Sequence, residues 1–138
     1  MNSPLVLDSH VFLWSALEPS NLSKAAKKDI TIAQENNQLL LSSISLWEIA
    51  VLSSEKRLHV YEPIKDFLVS ILNINGLIIK DISAEIAAES VLLADNFHWN
   101  PASRLIVATT KVIGGTLVTR DEEILKWASS GYIKVLSA

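Results

Sequence analysis

Three carboxylates stand where chemistry could use them: Asp8, Glu48 and Asp121 each follow a short apolar run and lie at or near the start of a helical pattern. The apolar runs at 5–7, 38–41 and 116–118 read as strands buried on both faces, because parallel strands covered by helices show continuous apolar stretches rather than alternation. Ligands of such sheets bind beyond the carboxyl ends of the strands. Acids remote in sequence would therefore gather along one edge. Gathered carboxylates repel one another and raise each other's pKa unless a cation neutralises them. Mg2+ or Mn2+ suits hard oxygen donors, and Mg2+ keeps waters that can be activated. The reaction matching such a site is phosphodiester hydrolysis, in which the ion polarises a phosphoryl oxygen and activates water. Each acid taken singly also sits where a helix cap or a favourable dipole contact would place one. Both readings stand at this point.

Other constellations carry less. His10, His59 and His98 are scattered without an H-E-x-x-H spacing, so a zinc hydrolase has little support. Gly114-Gly115 lacks the surrounding pattern of a phosphate loop. The absence of Cys removes disulfides, thiolate zinc sites and thiol catalysis. Trp14, Trp47 and Trp127 fall in helical patterns and read as core or interface residues. A net charge of −3 argues against a general electrostatic grip on nucleic acid, though bound cations or a local basic patch would attract phosphates.

The positioning elements follow in order. A helix runs from the residue after Asp8 through Trp14, and Ser23 opens a second whose Lys24, Lys27 and Lys28 form a solvated face. Ser45-Leu46-Trp47-Glu48 has the S-x-x-E form of a capping box, with Glu48 reaching back to the N-cap N–H. A helix over 64–73 has Pro63 at its start and Gly76 as its stop, and a third strand covers 77–79. Ser83 opens a helix to about residue 94, and Asn96-Phe97-His98-Trp99 is the least regular stretch. Asn100 is the N-cap of a helix with Pro101 at its first position, running to residue 113. A fourth strand, a helix through Trp127 and a fifth strand at 133–136 close the chain. Strands alternating with helices imply an α/β fold with a parallel sheet covered on both faces. The 138 residues fit one domain, 1–138. With neither a secretory leader nor an apolar run of roughly 20 residues, the expectation is a soluble, cytoplasmic protein with no membrane association.

Four segments in order, LVLDSHVFLW at 5–14, SSISLWEIA at 42–50, RLIVATT at 104–110 and TLVTRDE at 116–122, resemble the PIN-domain ribonucleases, especially the VapC-like toxins of bacterial toxin–antitoxin pairs. The likeness spans nearly the whole chain. It implies a three-layer sandwich around a five-stranded parallel sheet of order 3-2-1-4-5, a Mg2+ or Mn2+ site, cleavage of RNA, a small antitoxin partner and a homodimer. Asp8, Glu48 and Asp121 match the first, second and last family acids and become the implied metal ligands. The third acid does not match. Where the family reads D-P-A-D-R, this chain has Asn100-Pro101-Ala102-Ser103-Arg104, so the site loses up to two negative charges. A hydroxyl at Ser103 is no equal of a carboxylate as a metal ligand. Arg104 matches a family arginine that would orient an acid, contact phosphate or serve in a structural ion pair. The expectation is a divalent-metal-dependent endoribonuclease of weakened activity. Its alternatives are a catalytically silent PIN domain that binds antitoxin or RNA, and a different phosphatase-like α/β hydrolase.

Overall fold

The continuous apolar runs do form strands in the computed structural model, which describes residues 3–93 and 100–138. Strands β1 (Leu5–Leu7), β2 (Leu39–Ser42), β3 (Leu77–Lys80), β4 (Thr116–Thr119) and β5 (Lys134–Ser137) make one sheet in the order β3-β2-β1-β4-β5. Every pairing is parallel, with Leu7 opposite Leu41 on one side and Val118 on the other. All five carboxyl ends therefore lie along one edge.

Helices α1 (Ser9–Leu17), α2 (Lys24–Glu35), α3 (Ile44–Ser54), α4 (Ile64–Leu72), α5 (Ala84–Leu92), α6 (Pro101–Ile113) and α7 (Glu122–Ala128) supply the crossovers among the described residues. Successive strand residues point to opposite faces, and the packing follows. Leu5, Leu7, Leu39, Leu41 and Val118 pack with Val11, Phe12, Ile30, Ile49 and Phe67 from the first four helices. Val6, Leu40 and Leu117 pack on the other side with Ile106, Val107, Ile124 and Trp127 from α6 and α7. Leu7, Leu41 and Val118, which end the three central apolar runs, are fully buried. Each contributes about 1.5–3 kcal/mol by burial, which makes the floor beneath the carboxyl edge rigid.

Most expected boundaries hold within a residue or two; α1 runs on to Leu17. Ser23, Ser83 and Asn100 are N-caps, their side-chain oxygens accepting from Ala26, Ile86 and Ser103 N–H. The irregular stretch expected at 96–99, with His98, lies outside the described residues. Ser45 and Glu48 form no capping box: the N-cap of α3 is Ser43, without a side-chain cap bond, so Ser45 falls inside the helix. A stronger partner, described below, takes both side chains inward.

Gly76, expected as the stop of the fourth helix, lies instead beyond its C-cap Asn73, where the chain turns into β3. It has φ +82°, and a Cβ there would stand 2.3 Å from the carbonyl oxygen of Gln34. Gly76→Ala is expected to destabilise the fold by at least about 2 kcal/mol, since left-handed strain and a backbone clash add. A urea midpoint within error of the wild type would refute this.

Candidate active site

Each acid reaches the carboxyl edge by its strand. Asp8 follows β1 and is the N-cap of α1, with its own N–H held by the Val118 carbonyl at 3.0 Å. Glu48 lies on α3, which begins just past the end of β2. Asp121 follows β4 and caps α7, one oxygen accepting from Glu123 and Ile124 N–H at 2.9 and 3.3 Å. Two hydroxyl residues connect them. Ser9 donates its N–H to Asp8 Oδ1 at 2.9 Å and its hydroxyl to Glu48 Oε1 at 2.6 Å. Thr119 donates its hydroxyl to Asp8 Oδ2 at 2.7 Å and accepts from the Asp121 N–H at 3.1 Å. Asp8 and Glu48 thus share one serine, while Asp121 joins through the backbone and keeps its carboxylate on the α7 cap. The capping role and membership of the cluster coexist at Asp8 and Asp121.

Burial is the main force on both inner acids, and it pushes the carboxyls of Asp8 and Glu48 above the ordinary range. The bonds from Thr119 and Ser9 and the nearby His10 oppose the rise at Asp8, and Asp121 adds to it. At Glu48 the Ser9 hydroxyl and His10 oppose it, while the charge of Asp8 adds to it. A carboxyl whose pKa is higher folded than unfolded adds stability below its unfolded pKa and loses that contribution as pH rises through the folded value. The charged Asp8 is therefore a cost at neutral pH. Asp8→Asn, which keeps a capping oxygen, should raise the metal-free thermal midpoint by about 3 °C at pH 7. The gain should vanish near pH 3. Equal midpoints at pH 7 would show that burial of this charge is already compensated.

The remaining predicted residues sit at the start of α6. Asn100 lines a cleft of about 410 Å³ together with Ser9, His10, Glu48 and Arg57. Ser103 is half-buried in the first turn and receives the Asn100 cap on its N–H; no bond joins it to the three acids. Arg104 donates from Nη1 to the Ser90 carbonyl oxygen at 3.0 Å, tying α6 to α5. Trp127 is core, stacked on Tyr132 at 4.6 Å between ring centres. Trp47 is 59% exposed and opens onto the cleft of Glu48.

Sequence reasoning missed Ser9 as the link between two acids, read Ser45 only as the head of a capping box, and passed over Thr119 and Arg120. Arg120 stacks over Trp14 at 4.7 Å and donates to the carbonyl oxygens of Asn21 and Ala138, fixing the residue between Thr119 and Asp121. A hydroxyl at each strand end was the available signal.

Among the described residues no three His, Cys, Asp or Glu side chains are grouped closely enough to hold a metal ion by themselves. In donor chemistry alone, the pair Asp8 and Glu48, linked through Ser9, suits a hydrated hard cation. Mg2+ keeps several waters and takes only one or two carboxylates beside substrate phosphate oxygens.

A five-stranded parallel α/β sandwich with acids strung along its carboxyl edge defines the class, and the chain belongs to the PIN domain family, which matches residues 5–129. It is 35% identical over 120 residues to Ribonuclease VapC22 of Mycobacterium tuberculosis, covering 87% of this chain and 88% of that protein. The fold is shared with the DNA-bound VapBC structure from Salmonella typhimurium, at a TM-score of 0.65, 14% identity and 98% coverage of both chains. It is shared also with FitAB bound to an IR36 DNA fragment, at a TM-score of 0.60 and 16% identity, covering 96% of this chain and 94% of that one. No described helix is long and apolar enough to cross a membrane.

Proposed function

We propose that this chain is a toxin-like endoribonuclease dependent on Mg2+ or Mn2+, acting in the cytoplasm as one domain over residues 1–138. The observation that carries the reading is the single residue Ser9 bridging Asp8 and Glu48 at the carboxyl edge of a PIN-domain sheet. A named ribonuclease among its relatives supports RNA as the substrate. Asp8 and Glu48 would hold the cation and Asp121 would add charge from the α7 terminus. The bound ion supplies charge neutralisation at a phosphoryl oxygen and a more acidic water. Ser9 and Thr119 keep the carboxylates in place, Trp47 offers a stacking face to a base, and Arg104 braces the helix that carries position 103. Activity is attenuated because Ser103 and Asn100 stand where the family's carboxylates stood.

The partner is a small antitoxin, supported by the toxin–antitoxin complexes that share the fold. The homodimer is supported by exposed apolar side chains, Val91 at 74% and Leu92 at 72% on α5. Incubation of the purified chain with RNA and Mn2+ or Mg2+ should give cleavage that a chelator stops. A chain that cuts RNA as well with chelator present would refute the metal dependence, and one that cuts with neither ion would refute the nuclease.

The second reading, a silent PIN domain that binds RNA or antitoxin without cutting, is favoured by the missing third carboxylate and by the lack of a three-donor group among the described residues. RNA retained on a gel but uncut with either ion is its signature.

A further inference from the structure

We propose that Ser9 and Ser45 form a proton-ordered hydroxyl pair that holds Glu48 against Asp8, with Ser9 as the clamp and Ser45 a positioning residue acting only through it. This rests on the shared-cation reading above. Ser9 and Ser45 come from different helices, are 2% and 0% exposed, and their hydroxyl oxygens lie 2.7 Å apart. Each hydroxyl has one proton to give, and an ionised carboxylate can only accept. The proton of Ser9 is committed to Glu48, at 2.6 Å the short distance of a charge-assisted bond. Ser45 must then donate to Ser9. That second bond polarises the first and removes the rotamers in which the Ser9 hydroxyl turns from Glu48.

Among the described residues the Glu48 carboxylate makes no other hydrogen bond. Without the Ser9 hydroxyl, its side chain is free to turn away from Asp8 within the cleft it shares with Arg57 and Asn100. The backbone N–H of Ser9 would still hold Asp8. The expected effect is loss of the fixed relation between two carboxylates, not loss of either one. Among the described residues the Ser45 hydroxyl makes no hydrogen bond to either acid, so a purely structural role would reduce stability and leave ion binding alone.

The test is isothermal titration of the full chain with Mn2+, without RNA, on wild type, Ser9→Ala, Ser9→Thr and Ser45→Ala, with thermal unfolding of each. Ser9→Ala should bind Mn2+ about tenfold more weakly, the lower end of what losing an outer hydrogen-bond partner costs a metal site. Ser9→Thr, which keeps the hydroxyl, should restore affinity to near wild type. Ser45→Ala should weaken binding about threefold, less than Ser9→Ala. Wild-type affinity in a folded Ser9→Ala overturns the clamp, as does an equal loss in Ser9→Thr. Wild-type affinity in Ser45→Ala, with only its thermal midpoint lowered, overturns the role of Ser45. If Ser9→Ala does not fold, Ser9→Thr and Ser45→Ala still decide. A wild type that takes up no Mn2+ overturns the shared-cation reading itself and this proposal with it, an outcome distinct from equal binding by wild type and variants.

Discussion

Replacing Asp8 with Asn is expected to lower metal-dependent RNA cleavage about 10³-fold, the scale on which removing several kcal/mol of charge stabilisation slows a reaction. Asp8 is the acid to which both others are connected, through Ser9 on one side and Thr119 on the other. Removing its charge takes away the shared carboxylate, while Asn keeps an oxygen for the Ser9 N–H. The Thr119 hydroxyl has a spare lone pair to receive an amide N–H in place of the bond it now donates. Folding should therefore survive, and the predicted rise in thermal midpoint separates lost chemistry from lost structure. Cleavage by Asp8→Asn within tenfold of wild type, at equal Mn2+ and in excess over RNA, would remove Asp8 from the reaction.

The sheet was legible because strands buried on both faces cannot avoid continuous apolar runs, and LVL, LLL and TLV stand out from their helical surroundings. The caps at Ser23, Ser83 and Asn100 were legible for a local reason: an N-cap needs only its own side chain and the next turn. What failed was the capping box at Ser45 and Glu48, where the local pattern competes with a partner contributed by Ser9. Two buried hydroxyls and a carboxylate satisfy one another across 36 and 39 residues of sequence, and no window of local pattern registers that. Thr119 was passed over in the same way. A threonine ending a strand is ordinary until the neighbouring strand presents Asp8 to it, 111 residues away. The acids themselves were legible as a recurring context, a carboxylate just past a buried strand. That Asp121 would keep its carboxylate on its own helix was open in the sequence, since capping and convergence call for the same position.

Ser103→Asp is expected to tighten Mn2+ binding about tenfold, a gain of about 1.4 kcal/mol, and to raise RNA cleavage with it. Position 103 lies in the first turn of α6, next to residues 100 to 102 that share the cleft of Glu48 and Ser9. A carboxylate there is favoured by the dipole at the helix N-terminus and adds a hard oxygen donor to a pair that is short of one. Without metal, the same charge is repelled by Asp8 and Glu48, two carboxyls already disfavoured by burial. The variant should therefore melt slightly below wild type in chelator and recover when Mn2+ is added, because an ion that binds only the folded state stabilises it. Asn100→Asp should act in the same direction, since Asp caps a helix as well as Asn and residue 100 lines the cleft. Combined with Asp8→Asn, neither gain in cleavage should survive. Mn2+ titration, melting with and without the ion, and RNA cleavage on one set of folded variants measure all of this together. Unchanged affinity and unchanged cleavage in folded Ser103→Asp would show that position 103 is not a vacated ligand site, and the attenuation would then have to come from residue 100 alone.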